Sequence, residues 1–266
     1  MSWWGKLAGG AFGFMMGGPL GALLGVALGH QFDRGLGSAR SGLEEDFAPG
    51  AQERVQMVFF TASFSVMGHL AKADGRVSED EIRLAQQVMG RMGLDADQRK
   101  LAIDLFNEGK QAGFDLDAVL EQFRHECGRR VNLIRMFVEI QLAAALADGD
   151  VHPAERQILL HICERVGFPR FAFDQLERMA RAHTRYNHQA PPGASSRSLA
   201  DAYAILGVDP KASDAEVKKA YRRLMSQNHP DKLVARGLPE EMMKVATEKT
   251  QEIKAAYEQV KAARGS

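Results

Sequence analysis

Three adjacent residues near the C-terminus have types that could do chemistry: His229, Pro230 and Asp231, in the stretch SQNHPDKL. The stretch interrupts a region that otherwise has the apolar periodicity of helices. Pro230 fixes its own φ and disfavours the α conformation at His229, so the histidine and the aspartate should be displayed from a stiff turn. A His and an Asp could serve as a catalytic pair, but no nucleophile or glycine elbow accompanies them. We therefore expect recognition here, and we predict that the chain is not an enzyme.

The helical stretch before this turn carries a cluster of cations, namely Lys218, Lys219, Arg222 and Arg223. A basic face beside an exposed His and Asp suits docking on an acidic protein patch, with Asp231 free to meet an arginine. Two plainer interpretations stay open, because His-Pro-Asp is often just a turn and a Lys/Arg cluster is often a solvated face. Nucleic-acid binding is a further alternative, but the formal net charge is zero and no aromatic residues interleave the cations. We predict no nucleic-acid partner.

Acidic residues recur in an internal repeat, in which AKADGRVSEDEI (71–82) matches ALADGDVHPAERQI (145–158) at a spacing of 74 residues. The pattern is similar to the second half of an EF-hand loop, but oxygen donors are missing at the two earlier ligand positions. A structural explanation is available: Asp-Gly ends one helix, Ser78 caps the next, and Pro153 suits a first helical position. We predict no metal or other cofactor. The positions to test for a metal are Asp74, Glu81, Asp148 and Glu155.

The N-terminal stretch from Leu7 to Gly29 contains no charged residue and is long enough to cross a bilayer, which takes about 20 residues. Glycine recurs at every fourth position from Gly5 to Gly29. On a helix these glycines form a stripe along which two backbones can approach closely in lipid. We predict a membrane-spanning anchor that forms a homodimer through the stripe at Gly9, Gly13, Gly17, Gly21 and Gly25.

Two alternatives to a spanning anchor are a cleaved signal peptide and a hairpin that turns at Pro19 without crossing. A signal peptide gives the regular stripe no role. Lys6 precedes the run, and Arg34 and Arg40 follow it, which slightly favours a cytoplasmic location for the long C-terminal part. The chain has only two cysteines, which suits a reducing compartment.

The rest of the chain reads as helical segments separated by linkers rich in Gly, Pro and small polar residues. The central helices are predicted at 53–72, 79–92, 95–109, 115–126, 130–147, 153–166 and 171–182. The predicted divisions are an anchor at 1–30, a linker at 31–52, a helical domain at 53–183, a linker at 184–198 and a helical domain at 199–266. The central pattern is similar to the TerB-like helical domain family over roughly 55–182. In that family, acidic residues at the repeated turn have been proposed to hold a metal.

The C-terminal region resembles the J-domain family over about 200–260, because four of its elements occur in order. They are an opening YAILGV (203–208), a second-helix KAYRRL (219–224), the signature loop HPDK (229–232) and a third-helix EIKAAYE (252–258). Two positions depart from the family: Asn228, where an aromatic often precedes the histidine, and Thr250, where a core Phe is usual. The second departure predicts altered packing of the helical hairpin.

The resemblance to J domains implies a mechanism and a partner. J domains bind a DnaK-type ATP-dependent chaperone and stimulate its ATP hydrolysis without doing chemistry themselves. It further implies that His229, Pro230 and Asp231 are essential to that coupling. The docking face implied by the resemblance consists of Lys218, Tyr221, Arg222 and Arg223.

The order of the segments is similar to that of membrane-anchored bacterial J-domain co-chaperones, over nearly the whole chain. The expected fold is all-α, with an N-terminal transmembrane helix, a central TerB-like domain and a C-terminal J domain. This resemblance implies a single-pass protein of the bacterial inner membrane with both domains in the cytoplasm, in contact with membrane lipid. The alternative function is a membrane sensor whose central domain binds metal or a small ligand.

Overall fold

The structure is a computed structural model that describes residues 19–21, 23, 51–73, 89–90, 94–146, 150–188, 199–239 and 242–265. All regular elements in these residues are helices, which confirms the predicted all-α fold class. The central region contains α1 (Ala51–Ala71), α2 (Ala96–Gly109), α3 (Leu116–Cys127), α4 (Val131–Ala145), α5 (Pro153–Val166) and α6 (Arg170–His188). The C-terminal region contains α7 (Leu199–Leu206), α8 (Asp214–Asn228), α9 (Pro230–Val234) and α10 (Met243–Arg264).

Five of the predicted central helices agree with α1 to α5 to within two residues at each end. Pro153 is the first residue of α5, as its fixed φ favours. The helix predicted at 79–92 lies largely outside the described residues. Of this range only 89–90 are described, and both are helical. The linker predicted to start at residue 184 is wrong at its beginning, because α6 continues to His188. No Gly or Pro precedes Pro191 in this stretch, so nothing local stops the helix earlier.

Helix α1 runs through the middle of the central domain and packs against α2, α3 and α4. Almost all of its residues from Val55 to Leu70 are buried, as expected of a helix surrounded on every side. Phe59 meets Phe123 and Phe137 in an aromatic cluster, with ring centroids 4.3 Å apart for Phe123 and Phe137. These aromatic contacts join α1, α3 and α4 in one apolar core.

The crossing of α1 and α2 depends on two glycines. A Cβ built on Gly68 would collide with the carbonyl oxygen of Phe106, and one built on Gly109 would collide with the carbonyl oxygen of Ser65. Because the colliding atoms belong to backbone, neither clash can be relieved by a side-chain rotation. The two helices can therefore approach this closely only with glycine at both positions.

The C-terminal region is built from the helical pair α8 and α10, with α7 packed across α10. The predicted apolar positions Val217, Ala220 and Leu224 are buried in α8, opposite Ile253 and Val260 of α10. The C-terminal helix is tied back to the start of the domain by Arg264. Its Nε donates to Tyr203 Oη at 2.7 Å and its Nη1 to Asp214 Oδ1 at 2.7 Å. These contacts close the domain on itself.

The two departures from the J-domain pattern both make local hydrogen bonds. Asn228 is buried and its Nδ2 donates to Leu224 O at 2.8 Å, at the last turn of α8. Thr250 is partly buried and its Oγ1 donates to Thr247 O at 2.8 Å. Each polar side chain therefore donates its hydrogen bond to a backbone carbonyl of its own helix.

Four residues of the predicted membrane span, 19–21 and 23, are described. Leu20 is buried against the central domain, and its backbone N–H donates to Gln122 Oε1 at 3.0 Å. Gly21 is also buried. Within the described residues, no helix combines the length and the apolarity needed to cross a membrane. The remainder of the predicted span lies outside the described residues.

Candidate functional site

Helix α8 carries the predicted docking residues, and its start is fixed by a capping box. Ser213 Oγ accepts from Glu216 N at 3.3 Å, and Glu216 Oε2 accepts from Ser213 N at 2.7 Å. The Ser213 hydrogen bonds hold the pKa of the Glu216 carboxyl below its usual range. This arrangement satisfies backbone donors that the first turn leaves open and places acidic groups at the positive end of the helix.

All three cations of the predicted docking face, Lys218, Arg222 and Arg223, are exposed on α8, and we call them the basic face. Within the described residues, none of the three forms an ion pair. Tyr221 is different, because it is partly buried and its ring stacks on Tyr257 with centroids 4.2 Å apart. Tyr221 thus joins α8 to α10 beneath the cations.

The tripeptide His229–Pro230–Asp231 lies where α8 ends and α9 begins. His229 has φ −61° and ψ 122°, an extended conformation, and Pro230 is the first residue of α9. This is the conformation that the sequence predicted for a residue before proline. The side chains of His229 and Asp231 are 47% and 85% exposed, and His229 Nδ1 lies 4.0 Å from Asp231 Oδ2. Both side chains can reach a partner, and that separation is too long for a hydrogen bond between them.

The chain on both sides of the tripeptide contacts the central domain, which sequence reasoning missed. Before it, Gln227 Oε1 accepts from Arg135 Nη1 at 2.8 Å. After it, Leu233 is buried in the apolar core of the central domain. No local signal of this interface is present in the sequence, because Glu139 is one of several polar residues in α4, with Asn132, Arg135 and Gln141.

Of the four metal candidates, the structure describes only Glu155. Asp74, Glu81 and Asp148 lie outside the described residues. Glu155 Oε2 accepts from His152 N at 2.8 Å, so its carboxylate completes the capping box of α5. In the part of the chain that the structure describes, no group of three or more His, Cys, Asp or Glu side chains could hold a metal ion.

The glycine stripe is described only at Gly21, while Gly9, Gly13, Gly17 and Gly25 lie outside the described residues. The predicted homodimer interface therefore stays a prediction.

The two cysteines, Cys127 and Cys163, are free and buried. Burial raises the pKa of each thiol to about 12. Because the thiolate is the reactive form, neither cysteine is a candidate nucleophile at neutral pH.

Comparisons with known proteins match three family models in the order of the predicted segments. They are the Co-chaperone DjlA transmembrane domain at residues 1–41, the Tellurite resistance protein TerB at 60–178 and the DnaJ domain at 201–264. The chain is therefore a J-domain protein with a TerB-like central domain, and its first segment matches a transmembrane domain, which implies a membrane anchor.

Relatives extend this match over the full length. The chain is 47% identical to the Co-chaperone protein DjlA of Coxiella burnetii, over 99% of both chains. It is 45% identical to that of Vibrio cholerae over 98% of both chains, and 46% identical to that of Shewanella oneidensis over 100% of this chain and 99% of the relative. No solved structure gave a significant match. The chain belongs to the DjlA co-chaperone family.

Proposed function

We propose that this chain is a membrane-anchored co-chaperone whose J domain docks on a DnaK-type, or Hsp70-type, ATP-dependent chaperone and stimulates its ATP hydrolysis. The observation that carries the proposal is the exposed His229–Pro230–Asp231 turn beside the basic face of α8. Membership of a family of co-chaperones with a DnaJ domain supports it.

In this proposal the J domain acts by recognition, and the chain is not itself an enzyme. Lys218, Arg222 and Arg223 meet an acidic patch of the chaperone, and Asp231 accepts hydrogen bonds from an arginine there. Tyr221 contributes through its packing against α10, which supports the basic face from below. By binding one state of the chaperone better than another, the J domain shifts the chaperone toward its hydrolysing state.

The test is substitution of the histidine in the turn. We expect His229→Gln to abolish stimulation of the ATPase of a purified DnaK-type chaperone in a steady-state assay. The fold should survive, because a half-exposed side chain contributes little to the core and surface substitutions change stability by about 0.5 kcal/mol or less.

His125→Gln is a matched control, because His125 is an exposed histidine of the central domain with a side chain 81% accessible. It should stimulate the ATPase as the unmodified chain does. Stimulation by His229→Gln equal to that of His125→Gln would rule out the docking role of the turn.

The proposal includes the location of the chain. We propose a single pass through the bacterial inner membrane, with the central domain and the J domain in the cytoplasm. The match of residues 1–41 to a transmembrane-domain family supports the anchor, and two free cysteines suit a reducing compartment. The anchor would contact membrane lipid and pair with a second copy through Gly9, Gly13, Gly17, Gly21 and Gly25. This arrangement requires Leu20 to leave the central domain, against which it is buried in the structure.

A further inference from the structure

The tripeptide lies between two points at which the chain is attached to the central domain. Gln227, two residues before His229, is bonded to Arg135 of α4. Leu233, two residues after Asp231, is buried in the central core. Between these two points the backbone forms a local hydrogen bond, in which Leu233 N donates to His229 O at 3.1 Å. The displayed turn is thus fixed at both ends by a different domain.

A buried carboxylate connects the two domains. Glu139 of α4 has a side chain only 7% exposed; its Oε1 accepts from Arg135 Nε at 2.9 Å and its Oε2 lies 3.0 Å from Lys249 Nζ of α10. Arg135 in turn donates to Gln227. Glu139 therefore links both arms of the α8–α10 pair to one residue of the central domain.

Apolar contacts complete the interface. Leu238, Met242 and Ala246 are buried in the same cluster as the central helices. Gly237 has φ +99°, and a Cβ built on it would come within 2.6 Å of Val55 Cγ1 of α1. The chain after the turn therefore follows the surface of the central domain too closely to admit a larger residue at this position.

The face that the interface leaves uncovered is the docking face. His229, Asp231 and the basic face of α8 remain exposed while the other side of the hairpin is covered. A chaperone could reach the turn without displacing the central domain.

We propose that the central domain positions the docking turn of the J domain, with Glu139, Arg135 and Lys249 as positioning residues. This inference rests on the proposed function, because it concerns how the turn is presented to the chaperone. Neither Glu139 nor Lys249 touches the chaperone in this proposal. They act by removing conformations of the turn before the chaperone arrives, so less ordering remains to oppose binding.

The experiment removes the carboxylate charge while keeping its shape. The full chain carrying Glu139→Gln is reconstituted in lipid vesicles and compared with the unmodified chain by two measurements. The first is hydrogen exchange, without chaperone, at the amides of Leu233, Ala235 and Leu238, which are all hydrogen-bonded in the turn and in the segment after it. The second is the concentration that gives half-maximal stimulation of a DnaK-type ATPase.

We expect faster exchange at these amides and a half-maximal concentration raised roughly 5- to 10-fold. This is the fold-change expected when binding must also order about one additional side chain. Maximal stimulation should be unchanged, because every residue of the turn and of the basic face is still present. A purely structural role for Glu139 would lower stability without this separation between half-maximal concentration and maximal rate.

Glu177→Gln is the matched control. Glu177 is as buried as Glu139, since each whole residue is 8% exposed, and its carboxylate pairs with Arg156 and Arg181, both of the central domain. It should leave exchange at the turn and stimulation unchanged. Lys249→Met repeats the test from the J-domain side, so the inference stays testable even if Glu139→Gln does not fold.

Three results would overturn the inference: unchanged exchange at the turn in both interface variants, faster exchange with unchanged stimulation, or equal effects of Glu139→Gln and Glu177→Gln. Failure of the proposed function gives a different result, since His229→Gln would then stimulate the ATPase as the unmodified chain does.

Discussion

A histidine and an aspartate two residues apart differ here from a catalytic pair in what surrounds them. The two side chains are 4.0 Å apart at their nearest polar atoms and largely open to water. A catalytic aspartate is buried and hydrogen-bonded to its histidine, which fixes the tautomer. The turn therefore presents two separate polar groups, which suits contact with two different groups of a partner protein.

The basic face should act by long-range attraction as well as by contact. We expect the double substitution Arg222→Glu and Arg223→Glu to weaken chaperone binding by about tenfold or more, which is roughly 1.4 kcal/mol. Added salt should weaken binding of the unmodified chain, because exposed charges are screened beyond about 10 Å at 0.1 M salt. Titration calorimetry at low and moderate salt measures both effects.

Lys254→Glu is the control for charge alone, since Lys254 is exposed on α10 and does not belong to the basic face of α8. It should change affinity little. Affinity that is indifferent to salt would contradict an electrostatic role for Arg222 and Arg223.

The carboxylate of Glu139 should make the stability of the chain sensitive to acid. Burial alone would raise the pKa of Glu139, but Lys249 and Arg135 together hold it below its ordinary value. A depressed pKa means that the stabilisation is fully present above the ordinary glutamate pKa of about 4.3 and is lost as the pH falls through the lower value in the folded chain.

We expect Glu139→Gln to lower the free energy of unfolding by roughly 1–3 kcal/mol, less than for a fully buried pair because Arg135 and Lys249 keep some access to water. The difference from the unmodified chain should be constant from about pH 5 to 8 and should shrink below about pH 4. Chemical denaturation at a series of pH values measures it. A difference that vanished between pH 5 and 7 would mean that Glu139 is not ionised in the folded chain.

At the scale of elements, local sequence rules account for the helix bounds of the central domain and for the break between α8 and α9. Pro153 begins α5 and Pro230 begins α9, as the missing N–H and fixed φ of proline favour. The full length of α6 was not predictable from polarity, because its last turns are polar but contain no helix breaker. Polarity alone indicated a linker where backbone propensity continued the helix.

The interface around Glu139 could not be predicted from sequence, and the reason is physical. Glu139 and Lys249 are 110 positions apart, and an ion pair between distant segments leaves no periodic or local pattern. Similarly, Tyr221 was assigned to the docking face by resemblance, and the stacking of its ring on Tyr257 was not predicted. What sequence predicts well is each helix and its caps; which faces meet depends on packing between segments far apart in the chain.

The close crossing of α1 and α2 gives a prediction at this scale. We expect Gly109→Ala to destabilise the central domain by about 1–3 kcal/mol or more, because the new Cβ collides with the Ser65 carbonyl and the helices must separate. Thermal denaturation measures the loss. Gly113→Ala, where a Cβ would meet nothing within 4 Å, is the control and should be close to neutral. Equal stability of the two variants would show that the helices separate at little cost.

At the scale of the whole molecule, each segment has its own part in the proposed function. The anchor would keep the chain at a membrane, and the uncovered face of the J domain would bind the chaperone. The central domain contacts the J domain through α4 and α1. Met179 of α6 belongs to the apolar core of the J domain, and Leu233 belongs to that of the central domain. Side chains of each domain are thus buried in the apolar core of the other. This mutual burial favours a fixed arrangement of the two domains over a flexible connection between them.

The pairing of two whole chains should depend on the glycine stripe. We expect Gly17→Leu to abolish most of the homodimer signal from a dimerisation reporter fused to residues 1–35, because a bulky side chain separates the helix backbones. Membrane insertion should survive, because the change raises apolarity, and membrane fractionation measures it. Leu23→Ile, off the stripe, is the control. Dimerisation of Gly17→Leu equal to that of the control would exclude the stripe as the interface.

The burial of Cys127 and Cys163 has a practical consequence for labelling the chain. Both thiols are free and buried, and burial raises the pKa of each to about 12, so maleimide-type reagents at neutral pH should leave the unmodified chain unlabelled. A single cysteine introduced at an exposed position such as Met243 would then be the one site that takes a fluorophore. Neither native cysteine would have to be replaced before labelling, so the core stays intact. The fluorescence of that single label can then report the binding of a chaperone near the turn.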